Sequence, residues 1–190
     1  MPATSAPFGL RPAFHPSGLD RAIALADGIE ATYPTDILKG QPVKMATTGY
    51  IVVAGAGDAF QGAFAGVEWT DTTGRRRVSN YWPANTDYQT GSCVAYYYSD
   101  PNIVYEIQAA GTLSQNAIGE EYDLSNTTAG STTTGLSQAT MSITPAGSGN
   151  NAQMRVINLA PYADNAWGDT YVIVQAQISK HQYVAVSNAI

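Results

Sequence analysis

The stretch Asp36–Thr70, DILKGQPVKMATTGYIVVAGAGDAFQGAFAGVEWT, decides the fold class. Three short apolar segments, Pro42–Met45, Tyr50–Ala54 and Ala63–Glu68, are separated by glycine-containing turns and carry little charge. Runs of this length and composition between turn residues are the pattern of a compact β-meander. GAGDAFQG within it resembles a phosphate-binding loop only superficially. Phe60 stands where the third glycine of G-x-G-x-x-G would be, and no amphipathic helix follows, so Gly55, Gly57 and Asp58 read as a turn.

Downstream, Arg77–Trp82, Ser92–Tyr98, Ile103–Ala109, Leu136–Ile143, Gln153–Leu159 and Thr170–Ser179 read as further strands. Ser92–Tyr98 and Ile103–Ala109 are expected to form a hairpin around Ser99-Asp100-Pro101-Asn102, whose residues suit a type I turn. Many short strands with regular turn signals, and no long helical pattern, predict an all-β fold, a compact β-sandwich or barrel, over residues 35–190. Tyr96-Tyr97-Tyr98 puts aromatics on both faces of one strand, so one face belongs in the core and the other against a second layer or a neighbour. Glu120 and Glu121 read as polar loop charges.

Upstream, residues 1–34 have a different character. Pro2, Pro7, Pro12 and Pro16 recur every four or five residues, with Phe8, Leu10 and Phe14 between them. Proline fixes φ and holds the preceding residue extended, so this segment is expected to be an extended N-terminal arm that wraps its own body or lies across a partner. Leu19–Leu25 is compatible with one or two helical turns.

Composition narrows the function. Only 13% of the 190 residues are charged, about half the ordinary share of 25%. Such a surface suits a protein whose exterior is covered by other protein, and equally a Thr/Gly-rich β-domain standing alone. The net charge of −6 argues against binding nucleic acid. The single basic run, Arg75-Arg76-Arg77, is either a solvated hairpin end or a patch facing an acidic partner. One cysteine, Cys93, excludes an internal disulfide, and its apolar neighbours mark it as a small buried hydrophobe. The N-terminus lacks the pattern of a secretory signal, and no apolar run reaches the roughly 18 residues that a membrane helix needs.

Nothing in the chain assembles a catalytic constellation. The two histidines, His15 and His181, are expected to serve in hydrogen bonding or aromatic packing, and no cofactor or metal motif is present. An enzyme is not expected.

Several strings, in order, carry a resemblance: Ala6–Pro12 with His15, Ile37–Val43, Gly49-Tyr50, Gly62–Asp71, Tyr81-Trp82-Pro83, Asp100–Gln108, and Asn165–Gly168 followed by a last strand and His181. This series resembles the capsid decoration, or cement, proteins of tailed bacteriophages. Ile37–Val67 is similar to the β-rich core of the lambda-type head-stabilising proteins, which implies a β-tulip-like core. The resemblance implies a structural virion protein, made in the host cytoplasm and added to the capsid exterior. Its partners would be the major capsid protein and itself, as a homotrimer or a dimer. Phe8, Leu10, Arg11, Phe14 and His15 are then the expected capsid-contact arm, and Arg75, Arg76, Arg77, Tyr96 and Tyr98 an oligomer or partner surface. Two other readings fit the same sequence. One is a carbohydrate-binding module displayed on a virion or tail, stacking sugars on Tyr96–Tyr98, Trp69 or Trp82; the other is a tail-tube or connector component.

Overall fold

In the computed structural model, which describes residues 4–18 and 21–185, the chain is all-β, with antiparallel sheets packed as a sandwich. The strands are β1 (Arg11–Phe14), β2 (Ala22–Ala26), β3 (Pro42–Met45), β4 (Ile51–Val53), β5 (Gly62–Thr70), β6 (Arg76–Ser79) and β7 (Val94–Tyr98). They continue as β8 (Val104–Gln108), β9 (Glu121–Ser125), β10 (Gly130–Ser131), β11 (Leu136–Ser137), β12 (Thr140–Pro145), β13 (Met154–Leu159) and β14 (Ile173–Ile178). The first sheet runs β1-β8-β14-β13-β9-β12, and the second β2-β7-β5-β3-β4 with β6 paired to β5; β10 and β11 form a separate short ribbon.

The three strands of the expected meander form, but not in meander order: β3 is central, pairing with β4 on one side and with the start of β5 on the other, so β4 and β5 are not neighbours. Two buried clusters hold the molecule. One centres on the first sheet, with Tyr105, Ile107, Leu124, Met141, Val156 and Val174; the other on the second, with Ile37, Val43, Phe64, Trp69, Trp82 and Tyr97. Adjacent residues of one strand reach both clusters, because successive strand side chains face opposite ways. Ala63 belongs to the first cluster and Phe64 to the second. The ladder between β5 and β7 then shifts between Phe64 and Gly66. That bulge changes the parity of the strand, so Val67 and Trp69 rejoin Phe64 in the second cluster. The same alternation resolves the tyrosine run: Tyr97 is buried in the second cluster, Tyr98 packs on the first, and Tyr96 is half-buried. The second layer expected against that strand is therefore supplied by this chain itself.

Four further expectations are corrected. Ser99–Asn102 is a turn, with Ile103 N–H bonded to Asp100 O at 3.2 Å, but it does not close a hairpin. β7 lies in the second sheet and β8 in the first, so the turn carries the chain from one sheet to the other. Of Leu19–Leu25, Leu19 and Asp20 lie outside the described residues, and Ala22–Ala26 is a strand paired residue for residue with Val94–Tyr98. Ladder bonds to β7 outweigh the weak helical preference of so short a segment. Ile37–Met45, whose apolar residues read as one first strand from Ile37 onward, is a strand only from Pro42, because Gly40 at φ +80° turns the chain just before it. Glu121 is not a loop charge. It opens β9, is fully buried, and accepts from Arg155 Nη2 at 2.6 Å, from Ala152 N at 2.8 Å and from the Ser179 hydroxyl. A buried carboxylate survives only with such company.

The N-terminal segment is extended, as its prolines require, and it is paired. β1 is the edge of the first sheet through β8, and β2 is an edge of the second through β7.

Candidate functional site

The residues expected to form the capsid-contact arm divide into those spent on holding the arm and those left at the surface. Leu10 is 1% exposed and sits in the first core, with its N–H bonded to Gly40 O at 2.8 Å. Its side chain therefore packs this domain and offers nothing to a partner in this fold. Arg11 stands opposite Glu106 in the β1–β8 register. Its Nε and Nη2 donate to Glu106 Oε2 at 3.1 and 2.6 Å, and the Tyr162 hydroxyl donates to the same oxygen at 2.6 Å. The guanidinium carbon lies 4.5 Å from the Phe8 ring centroid, so Phe8 stacks on the charge from one side. The hydrogen bond to Glu106, with burial, pushes the Tyr162 phenol above its ordinary pKa. The four side chains form one clasp: the mostly buried Glu106 supplies the anchor, and Arg11 straps the arm to it. The Arg11 side chain is itself half exposed, so water screens the ion pair, and its paired donors orient the arm more than they stabilise the fold.

Phe14, by contrast, is 44% exposed at the end of β1. His15 Nε2 is 3.2 Å from Asp100 Oδ2, while its Nδ1 accepts from Ser17 N at 3.0 Å. The Asp100 carboxyl is held below its usual range by the Asn102 backbone N–H first, and by His15 to a lesser degree. Between arm and body lies an apolar groove of 230 Å³, walled by Phe8, Pro12, Lys39, Phe64, Tyr98 and Leu136.

The second expected surface is a polar row across three strands of the second sheet. The Tyr96 hydroxyl on β7 donates to Glu68 Oε1 on β5 at 3.1 Å, and Arg76 on β6 is ion-paired with the other Glu68 oxygen. Arg76 first, then Tyr96, lowers the Glu68 pKa. Arg77 Nε reaches Asp71 Oδ2 at 2.9 Å. Asp71 is itself the turn-former of this hairpin, accepting from the Thr73 hydroxyl at 2.6 Å and from Arg75 N at 3.0 Å, and those bonds hold its carboxyl far below the usual range. Two of the three arginines are thus balanced by carboxylates of their own hairpin, and Arg75 stands exposed beside them. Tyr98, which packs on the first core and walls the groove by the arm, belongs to a different place from Tyr96.

The two histidines come to one turn. His15 faces Asp100, and His181 Nε2 donates to Ser99 O at 3.0 Å while its Nδ1 accepts from Tyr183 N at 3.1 Å. Both ring nitrogens of His181 are engaged with backbone, and its ring meets Tyr183 edge-on at 5.9 Å. Among the described residues no group of three or more His, Cys, Asp or Glu is placed to hold a metal ion. Cys93 is buried, and burial pushes its thiol up to about 11, so little thiolate exists at neutral pH.

Glu106 and Tyr162, the fixed half of the clasp, carry no signal in the sequence, since they lie 95 and 151 residues from Arg11. The inter-sheet amides were equally hidden. Gln153, fully buried, uses its whole side chain: Oε1 accepts from Gly57 N and Leu124 N, both at 2.9 Å, and Nε2 donates to Gly55 O at 2.9 Å and Asp58 O at 2.8 Å. Gln182 pairs with both backbone groups of Met45, accepting at 2.7 Å and donating at 3.0 Å.

Comparison with models of known protein families, with curated proteins and with solved structures returned no match.

Proposed function

We propose that this chain is a structural virion protein, a decoration or cement protein that binds the outside of a tailed-phage head and fastens neighbouring major capsid subunits. What carries this reading is the resemblance of an ordered series of strings in this chain, from Ala6–Pro12 to His181, to that family. The geometry is compatible with it. Among the described residues the N-terminal segment supplies an edge strand to each of the two large sheets, and Phe14 stands exposed at the end of one of them. Such edges bind extended chain through main-chain hydrogen bonds, and many weak copies on a capsid add up to firm attachment. The charge-poor exterior suits a protein that ends up largely covered.

In this reading β1 and Phe14 meet the major capsid protein, and Leu10 with the Arg11–Glu106–Tyr162 clasp keeps β1 in place. The competing view of a sugar-stacking platform loses two of its residues, because Trp82 is fully buried and Trp69 is 8% exposed within the second core.

The test is co-expression with the major capsid protein of the same phage, followed by gradient isolation of expanded empty capsids. The protein is expected to co-migrate with capsids, and Phe14→Glu, which alters no core residue, is expected to lower its occupancy. Absence from the capsid fraction would remove the assignment. Full occupancy by Phe14→Glu would remove β1 as the contact.

A further inference from the structure

We propose that the apolar groove between the N-terminal arm and the body of the domain binds a small monocarboxylate, an apolar chain carrying one anionic head. The site is independent of the capsid reading, and neither stands or falls with the other.

The groove lies where the arm crosses Gly40, whose carbonyl accepts from Leu10 N–H at 2.8 Å. Phe8, Pro12, Phe64, Tyr98 and Leu136 give it an apolar wall. Leu136 is 43% exposed, so this wall offers apolar surface that the chain itself leaves uncovered. The main chain around Gly40 is already spent. Gly40 N–H donates to Phe64 O at 2.8 Å, Lys39 N–H donates to Gly135 O at 2.9 Å, and Lys39 O accepts from Ser137 N–H at 2.9 Å. An extended peptide draws its affinity from main-chain hydrogen bonds, and these groups have none to give. The volume of 230 Å³ also falls below the roughly 300–1,000 Å³ of sites for drug-sized ligands. Both features point to a small molecule that enters by its apolar part.

Charge selects which small molecule. The chain has 15 Asp and Glu against 9 Lys and Arg. Among the described residues lining the groove, however, two are cations, Arg11 and Lys39, and none is acidic. Arg11 already shares its charge with Glu106 through two hydrogen bonds. Lys39 is exposed, and among the described residues no carboxylate pairs with it. One unshared ammonium beside an apolar wall complements one negative charge at the end of an apolar chain. A dianionic head such as a phosphate monoester calls for more charged donors than Lys39 supplies, and an alkylammonium meets it with like charge. The head is therefore a carboxylate at Lys39, and the apolar chain lies along the wall that includes Phe8 and Leu136.

Calorimetric titration of the full chain with hexanoate, octanoate and decanoate, at neutral pH, low salt and below their micellar range, tests the site. Each added methylene is expected to tighten binding about two- to fourfold, the upper figure being that for a fully buried methylene. Octyltrimethylammonium is expected to bind about tenfold more weakly than octanoate. Lys39→Glu, at an exposed position, is expected to weaken octanoate about tenfold and to leave octanol binding unchanged, which shows that the apolar wall is intact. Leu136→Gln is expected to weaken octanoate and octanol alike. Absence of octanoate binding at millimolar concentration overturns the proposal. So does equal binding of octyltrimethylammonium, or full octanoate affinity in Lys39→Glu.

Discussion

The side-chain amide of Gln153 donates to the main-chain carbonyl of Asp58 at 2.8 Å, across the boundary between the first sheet and the β4–β5 connection of the second. Three more bonds complete its capacity, so one residue at the head of β13 fixes the Gly55–Asp58 turn and the β9 strand together. Gln153→Leu fills similar space but leaves two backbone N–H and two C=O groups without their partner, the Leu124 N–H in a buried place and the other three in partly buried ones. A buried polar group without a partner costs about 1–3 kcal/mol, and partial relaxation is available here. The expected loss is roughly 3 kcal/mol or more in a denaturant titration.

Gly62 opens β5 with the main chain of Tyr98 on β7 close against it. A Cβ built on it would lie 1.9 Å from Tyr98 O, and its φ of +154° is one that side-chain-bearing residues rarely adopt. Backbone atoms cannot step aside as a flexible side chain does. Gly62→Ala is expected to cost about 3 kcal/mol or more, or to prevent soluble expression. Gly49→Ala, also at positive φ but with open space around its Cβ, should cost about 1 kcal/mol. Parallel thermal melts of the two variants check this contrast.

Cys93 is expected to resist thiol reagents at pH 8 in the native state, since its thiol is pushed up to about 11 by burial. Under denaturant it should react at the rate of a free thiol. Rapid labelling of native protein would show that the β7 edge of the second core opens readily.

Stability should fall in two stages on acidification. Burial lowers the His181 pKa from its ordinary 6.5, so below that pH the unfolded chain takes up a proton that the folded protein refuses. Stability is thus lost as pH drops from 6.5 toward the folded value. The depressed carboxyls of Asp58 and Asp100 act later. Lys44 chiefly lowers the first and the Asn102 N–H the second, both from 3.8. Their contribution is present above that value and disappears as pH falls through the folded-state values. Tm measured from pH 8 to 3 should show both stages, and His181→Gln should flatten the upper one.

Local patterns in the chain carry much of this architecture. Apolar alternation and glycine turns define β3, β4, β5, β13 and β14 to within a few residues, because those strands obtain their hydrophobic face and their turns from neighbours in sequence. What stays hidden is non-local. Ser99–Asn102 has the residues of a tight turn, and nothing nearby tells whether the strands beside it pair or part into two sheets. Glu121 reads as a surface charge until Arg155 and Ser179 arrive from β13 and from the end of β14. Ala22–Ala26 is a strand only because β7 offers it a ladder. The candidate contact residues divide on the same principle. The exposure of Phe14 and the burial of Leu10, four residues apart in a proline-punctuated arm, depend on Gly40 and on the first core, which that arm does not encode.

The clasp between Arg11 and Glu106 also sets the order in which the molecule can be completed. The two residues are 95 positions apart, and a ribosome adding roughly 5–20 residues per second needs about 5–20 s to supply the second after the first. Through most of that interval β1 and β2 have no strand to pair with, and Phe8, Leu10 and Phe14 face water. Closing so long a loop is slow and comes late. The N-terminal segment, first to be made, is therefore among the last parts of the sandwich to find its place.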